Sequence, residues 1–113
     1  MNNKTYETYC NCNLITLLLK SGFNWKDYFV AYSIDEHFHW EIPLHIAQKW
    51  LRDVKRLFVC VVPEIKDYHA TWIFYICNEQ GWSYEYDDCF LTYDEALEAG
   101  IMKALEIILE KGE

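Results

Sequence analysis

Glycine and proline are scarce in this sequence, which has four Gly and two Pro among its 113 residues. It contains no G-x-G-x-x-G, G-x-x-x-x-G-K-[ST] or G-x-S-x-G pattern. These patterns need glycine so that the backbone can approach a phosphate closely or turn sharply beneath a nucleophile. Their absence disfavours nucleotide-dependent catalysis. No segment is rich in Pro, Gly or Ser, so we expect a single α+β domain over residues 1–113.

Long apolar runs are also missing from the N-terminal region. The first residues carry no cluster of positive charge, and the apolar stretch at residues 17–19 is far shorter than a membrane span. A secretory signal peptide would need both a charged start and a longer apolar segment. We therefore expect a cytoplasmic protein that does not enter a membrane.

The sequence contains five cysteines, an odd number without the spacing of a disulfide framework. Two of them, Cys60 and Cys77, lie inside apolar runs, where a free cysteine behaves as a small hydrophobic side chain. We therefore expect reduced thiols, as is usual in the cytoplasm.

One group of residues has the side-chain types of a zinc site, namely Cys10, Cys12, His37 and His39. A C-x-C pair is tighter than the spacing usual for zinc, and alternate residues of a strand share a face in any case. The pattern therefore favours ordinary surface side chains. A metal-binding protein or a small enzyme that uses these four residues is the alternative. The sequence predicts no cofactor and no catalytic residue, and it favours a protein that is not an enzyme.

Three helices are predicted from apolar residues at helical spacing. The first spans residues 13–21, because Gly22 supplies the left-handed residue that commonly follows a helix. The second begins at Pro43, which suits a first turn, and continues through Val54. The third is opened by Thr92 with Glu95 three residues later, which is a capping box. Its apolar stripe consists of Leu97, Ile101, Ala104, Leu105 and Ile108.

Five segments rich in aromatic and β-branched residues are predicted as strands. They are residues 28–34, 38–41, 57–65, 70–77 and 82–86. The segment 57–65 is apolar at both alternating positions, which is typical of a strand covered on both faces, so we expect it in the centre of the sheet. The fold class that follows is an α+β two-layer sandwich in the order α-β-β-α-β-β-β-α. It has a largely antiparallel sheet of four or five strands, with the three helices mainly on one face.

Three segments of the chain carry a family resemblance: YCNCNLITLLLKSGFN, IPLHIAQKWLRDVKRLFVCVVPEI and FLTYDEALEAGIMKALEIIL. The features concerned are a first helix that ends in Gly-Phe, a central helix that ends in Trp-Leu-Arg, and a last helix that opens with residues 93–96. In these features the chain is similar to small uncharacterised proteins of gut Bacteroidetes and of their phages or mobile elements. The resemblance implies a fold and a habitat, and it implies no activity.

Charge is distributed unevenly along the chain. Residues 79–113 hold ten Asp or Glu and two Lys, whereas residues 1–78 hold eight of each sign, so the net charge of −8 belongs to the last third. The one concentrated basic group, Lys49, Arg52, Lys55 and Arg56, is modest and is interrupted by Asp53. Because an acidic field repels phosphate, direct binding of DNA or RNA is disfavoured. An acidic inhibitor that imitates nucleic acid for a basic partner is an alternative function.

Aromatic residues make up 18% of the chain, more than a core of this size needs. Trp82, Tyr84 and Tyr86 lie next to Asp87 and Asp88, and exposed Trp and Tyr are enriched in protein interfaces. We therefore predict a partner-binding surface at these five residues. The predicted function is a small non-enzymatic cytoplasmic interaction module, with a phage or mobile-element accessory protein as its specific form. Its partner is another protein or a second copy of the chain in a homodimer.

Overall fold

The structure, a computed structural model, describes residues 9–24, 32–34, 38–40, 42–86 and 88–111. Within these residues the chain forms three α-helices and five β-strands. The helices are α1 (Cys12–Lys20), α2 (Leu44–Trp50) and α3 (Tyr93–Glu110). The strands are β1 (Tyr32–Ile34), β2 (Phe38–Trp40), β3 (Leu57–Lys66), β4 (His69–Asn78) and β5 (Ser83–Glu85). The predicted α+β class with three helices is therefore confirmed.

Helix α1 is fixed at both ends by hydrogen bonds to its backbone groups. The side chain of Asn11 accepts from the backbone N–H of Leu14 at 2.8 Å, which caps the first turn. At the other end Gly22 has φ 100°, and the N–H of Phe23 donates to the carbonyl of Leu18 at 3.0 Å. This is the glycine-terminated helix end predicted from the sequence. It turns the ring of Phe23 back into the core, where 5% of the residue is exposed.

Helix α2 is shorter than predicted. After Trp50 the winding widens into a π-helical turn over Leu51–Lys55, which ends at Arg56 with φ 56°. A π-turn has more residues per turn than an α-helix, so it rotates later side chains away from the face that the α-helical spacing assigns to them. Val54, one of the apolar residues at helical spacing from which this helix was predicted, is 54% exposed for this reason. Pro43 precedes the helix as its N-cap residue instead of occupying its first turn.

Helix α3 matches its prediction most closely. The hydroxyl of Thr92 accepts from the N–H of Glu95 at 3.1 Å, so the predicted cap is present. The whole predicted apolar stripe is buried, together with Ala96 and Gly100. None of the helices in the described ranges has the length and apolar character needed to cross a bilayer.

The described strands form two separate sheets. β1 and β2 make a two-stranded antiparallel ribbon, whereas β3, β4 and β5 make a three-stranded antiparallel sheet in that order. The predicted single sheet of four or five strands is therefore not confirmed. The parts of the two N-terminal strand predictions at residues 28–31 and 41 lie outside the described residues.

Strand β3 lies at the edge of the three-stranded sheet and not at its centre, so that prediction was wrong. The carbonyl of Val59 points away from β4, because it accepts from the side-chain amide of Gln48 at 2.8 Å. Backbone groups alternate in direction along a strand, so the nitrogen of Pro63 also faces the open edge. Proline, which has no N–H, is tolerated there and not in a central strand. Pro63 was thus the overlooked sequence signal for an edge.

The core lies between the sheet and the helices. One face of the sheet, which we call the inner face, carries Leu57 and Val59 of β3 with Phe74 and Ile76 of β4, and each of these residues is at most 8% exposed. Helix α3 packs directly on β3 and β4, and α1 and α2 both contact α3. The buried residues of all these elements form one cluster.

A two-residue turn joins β3 to β4 and stores backbone strain. Lys66 pairs with His69, and the two residues between them, Asp67 and Tyr68, have φ of 52° and 65°. Such a turn needs positive φ at both central positions, which glycine tolerates and a tyrosine adopts at a cost of about 1 kcal/mol. The Tyr68 side chain is fully exposed, so no burial of its ring offsets the cost of the backbone conformation.

Replacing Tyr68 with glycine should therefore raise the free energy of unfolding by about 1 kcal/mol. Urea denaturation measures this directly. Tyr68→Ala is the control, because it removes the ring and keeps the Cβ atom that causes the strain. An equal gain in both variants would show that the ring, and not the backbone conformation, is unfavourable.

Candidate functional site

The second face of the three-stranded sheet is apolar and lies opposite the core. We call it the outer face and define it by three neighbouring cross-strand pairs, Phe58 with Cys77, Cys60 with Tyr75, and Val62 with Ile73. Side chains alternate between the two faces of a strand, so these six point away from the inner face and from α3.

None of the six outer-face residues belongs to the buried core or to the side chains packed against it. Five are half-buried, and Tyr75 is 36% exposed. Partial burial raises the pKa of the Cys60 thiol; the hydrogen bond with Tyr75 opposes this shift, and the nearby Cys77 adds to it. The three helices that the structure describes all lie on the core side. The outer face is therefore an apolar surface that no described helix covers.

The open edge of β3 is partly protected against pairing with another strand. The side-chain amide of Gln48 already donates a hydrogen bond to the carbonyl of Val59, and Pro63 has no N–H to donate to a new strand. Natural proteins use such devices to prevent edge-to-edge association. A partner is consequently expected on the outer face and not along the edge of β3.

The predicted partner-binding rings lie elsewhere, on the core side of the sheet. Tyr84 pairs with the buried Ile76 in the register of β4 and β5, and both Trp82 and Tyr84 pack against the core. The ammonium group of Lys103 lies 5.0 Å from the centroid of the Tyr84 ring, and that of Lys111 lies 5.5 Å from the centroid of the Trp82 ring. Both rings thus have a structural role at the rim of the core.

Tyr86 is the most exposed of the three rings, at 37%. Its ring stacks on that of Phe74 with centroids 5.0 Å apart and on that of Phe90 at 6.3 Å. Asp88 is exposed, and Asp87 lies outside the described residues. Partner binding by Trp82, Tyr84, Tyr86, Asp87 and Asp88 stays a prediction.

The four residues of the predicted zinc site are only partly described. Burial, followed by the nearby carboxylate of Glu98, raises the pKa of the Cys10 thiol to about 12. This thiol is protonated at neutral pH and is a poor metal ligand or nucleophile in that state. Cys12 is exposed at the start of α1, His39 lies in β2, and His37 is outside the described residues. Across the parts of the chain that are described, no group of three or more His, Cys, Asp or Glu residues could hold a metal ion.

Three of the four residues in the predicted basic group form ion pairs with carboxylates. Lys49 and Arg52 both form ion pairs with Asp53, at 2.9 Å and 3.6 Å. Arg56 instead pairs with Glu79, with its Nη2 atom 2.6 Å from a carboxylate oxygen. The pairing raises the pKa of the guanidinium and lowers that of the carboxyl group. These ion pairs neutralise much of the positive charge that a surface needs in order to bind nucleic acid.

Five of the ten acidic residues of the last third lie on α3. The helix carries Asp94, Glu95, Glu98, Glu106 and Glu110. Because α3 packs on the inner face, these acids lie on the opposite side of the sheet from the outer face. Two further acids, Glu64 and Glu85, lie at the margin of the outer face, because Glu64 follows Val62 on the same side of β3 and Glu85 pairs with Tyr75.

Comparison of the chain with protein-family models, with curated proteins and with solved structures finds no match. No relative therefore supplies an activity or a set of functional residues. The resemblance to Bacteroidetes and phage proteins stays a prediction.

Proposed function

We propose that the protein is a non-enzymatic interaction module that works as a homodimer, with two copies joined through their outer faces. The observation that carries this proposal is that the β3–β4 pair is apolar on both faces, while the described helices cover only one. Strands with this composition belong to sheets that are buried on both sides. A surface packed against the outer face would complete that arrangement.

A second copy of the chain is the occupant that fits best. Homodimer interfaces are more apolar than those of transient complexes, and twofold homodimers are the commonest oligomers. A second copy is also available wherever the protein is made, so the apolar face need not stay exposed to water. The six outer-face side chains carry no carboxylate or ammonium group, and the nearest carboxylates, of Glu64 and Glu85, lie at the margin of this face.

Charge also favours this orientation. Two copies with a net charge of −8 each repel one another, and the repulsion weakens as the charges move apart. Pairing through the outer faces places the two α3 helices on opposite outer sides of the dimer. The acidic residues then remain exposed to solvent, where they favour basic partners and repel nucleic acid.

A charge introduced on the outer face should dissociate the dimer. We expect sedimentation velocity to give a dimer for the native chain at micromolar concentration and a monomer for Tyr75→Lys, because an ammonium group in the interface would be desolvated without a partner. Far-UV circular dichroism should show the same secondary structure in both proteins, since Tyr75 lies outside the core.

Tyr68→Lys is the matched control, because it makes the same substitution at the fully exposed hairpin turn. This variant should remain dimeric. A monomeric native chain would contradict the proposal, as would dissociation caused equally by both substitutions. In the first case the outer face would have to be covered by a different protein.

A further inference from the structure

A cleft at one end of the three-stranded sheet is lined by several cationic side chains, although the protein as a whole is acidic. Its volume is about 360 Å³, and it lies between the end of the π-helical turn, the β4–β5 turn and the last turn of α3. Three of its lining residues are cationic, Lys55, Arg56 and Lys111, against the single carboxylate of Glu79. A volume above roughly 300 Å³ is large enough for a small organic ligand.

The two lysines of the cleft are available to an anion. Within the described ranges neither Lys55 nor Lys111 has a carboxylate partner, and each ammonium group lies over an aromatic ring instead. The distances to the ring centroids are 5.8 Å for Lys55 and Trp50, and 5.5 Å for Lys111 and Trp82. A cation–π contact of this kind leaves N–H groups free to donate to an anion.

The remaining wall of the cleft is apolar and offers a surface for a flat group. Trp82, Ile107 and Leu57 line it together with the buried Ile108. The Lys111 ammonium group lies over the half-buried indole of Trp82, so an aromatic ring and an anionic group could be bound next to each other.

From this arrangement we infer that the cleft binds a small aromatic anion, such as a phosphate monoester of a flat ring. The anionic group lies between Lys55 and Lys111, and the ring packs against Trp82 and Ile107. Glu79 opposes binding, because it adds a negative charge and occupies the Arg56 guanidinium through two N–H groups, at 3.0 Å and 2.6 Å. The outer face and this cleft share none of their defining residues, so the inference does not depend on the homodimer.

Phenyl phosphate is a suitable probe. Inorganic phosphate and phenol, which correspond to its two halves, are titrated separately for comparison. In a ¹⁵N-resolved NMR titration, phenyl phosphate should shift the indole N–H of Trp82 and the side-chain amides of Asn78 and Gln80. Each separate part should bind at least about tenfold more weakly, because it forms only half of the contacts.

Variants that change the charge of the cleft distinguish specific binding of phenyl phosphate from nonspecific electrostatic attraction. Lys55→Gln and Lys111→Gln should each weaken binding of phenyl phosphate by about tenfold, since each removes one charged hydrogen-bond donor. Glu79→Gln should strengthen binding severalfold, because it removes a carboxylate and frees Arg56. Lys66→Gln is the control, since it removes the same charge at the far end of β3 and should change nothing.

Three results would overturn the inference. The first is the absence of any shift at Trp82 with millimolar phenyl phosphate. The second is an equal loss of affinity in Lys66→Gln and Lys111→Gln, which would indicate nonspecific charge attraction. The third is equal affinity for inorganic phosphate and phenyl phosphate, which would exclude a role for the apolar wall. The amide spectrum of each variant shows in the same experiment whether the fold is intact.

Discussion

Replacing Phe74 with alanine should lower the free energy of unfolding by about 3–5 kcal/mol. Phe74 lies in the central strand, β4, is 2% exposed and is among the largest fully buried side chains. Its ring stacks on that of Tyr86 and lies 6.2 Å from that of Phe90, centroid to centroid. Truncation would therefore leave a cavity beneath α3 and remove the ring that holds Tyr86 in place. A loss of this size is a large part of the roughly 5–15 kcal/mol that stabilises a typical domain.

Two further substitutions test the explanation for Phe74. Phe74→Leu keeps most of the apolar volume and should cost about 1.5 kcal/mol or less. Leu91→Ala removes an apolar side chain that is 80% exposed and should change the free energy of unfolding by less than about 0.5 kcal/mol. Urea denaturation monitored by circular dichroism measures all three. A loss below about 1 kcal/mol for Phe74→Ala would show that the region between β4 and α3 is not the tightly packed core described above.

Replacing Gly100 with valine should cost about 3 kcal/mol, although glycine is a poor helix former. An added Cβ at position 100 would lie 2.6 Å from Cγ1 of Val59 and 3.2 Å from two ring carbons of Phe74. Real Cβ atoms do not come this close, so α3 would have to move away from the sheet. The gain from a better helix former, below about 1 kcal/mol, is smaller than the cost of overpacking.

The cause can be isolated with a double-mutant cycle. Val59→Ala removes the Cγ1 atom that meets the new side chain. The cost of Gly100→Val should therefore be smaller in the Val59→Ala background than in the native chain, with a coupling energy of about 0.5–3 kcal/mol. If the losses of unfolding free energy caused by the two substitutions were simply additive, the close approach of α3 to β3 would not be the reason for glycine at this position.

Sequence patterns predicted the parts of the fold that depend on local chemistry. The Thr92 cap, the α3 stripe and the Gly22 helix end each follow from residue types within one or two turns of a helix. The position of the β4–β5 turn was also predictable. There the side chain of Asn78 accepts from the N–H groups of Gln80 and Trp82, both at 3.0 Å.

Features that depend on contacts between distant segments were missed or misjudged. Two apolar faces on β3 suggested a central strand, whereas Pro63 indicated an edge, and the proline signal was the correct one. The need for glycine at position 100 depends on Val59 and Phe74, which are far away in sequence. The π-helical turn that exposes Val54 has no clear signature in the sequence.

The same distinction applies to the candidate sites. The apolar residues at alternating positions of β3 and β4 indicated that the outer face is apolar. They could not show which of the two faces the helices cover. The aromatic residues near position 84 are partly exposed, and their contacts with Lys103 and Lys111 could not be predicted from the sequence. The cleft escaped notice because its residues come from three segments that meet only in the folded chain.

The most direct test of the account is an isotope-filtered NOE measurement on a mixture of labelled and unlabelled protein, which detects contacts between copies alone. We expect intermolecular NOEs at Tyr75, Val62 and Ile73, because these side chains lie on the outer face that joins the two copies. Met102, which lies on α3 on the opposite side of the sheet, should show none. Intermolecular NOEs confined to residues outside the outer face, or none at all in a concentrated sample, would contradict the proposed homodimer.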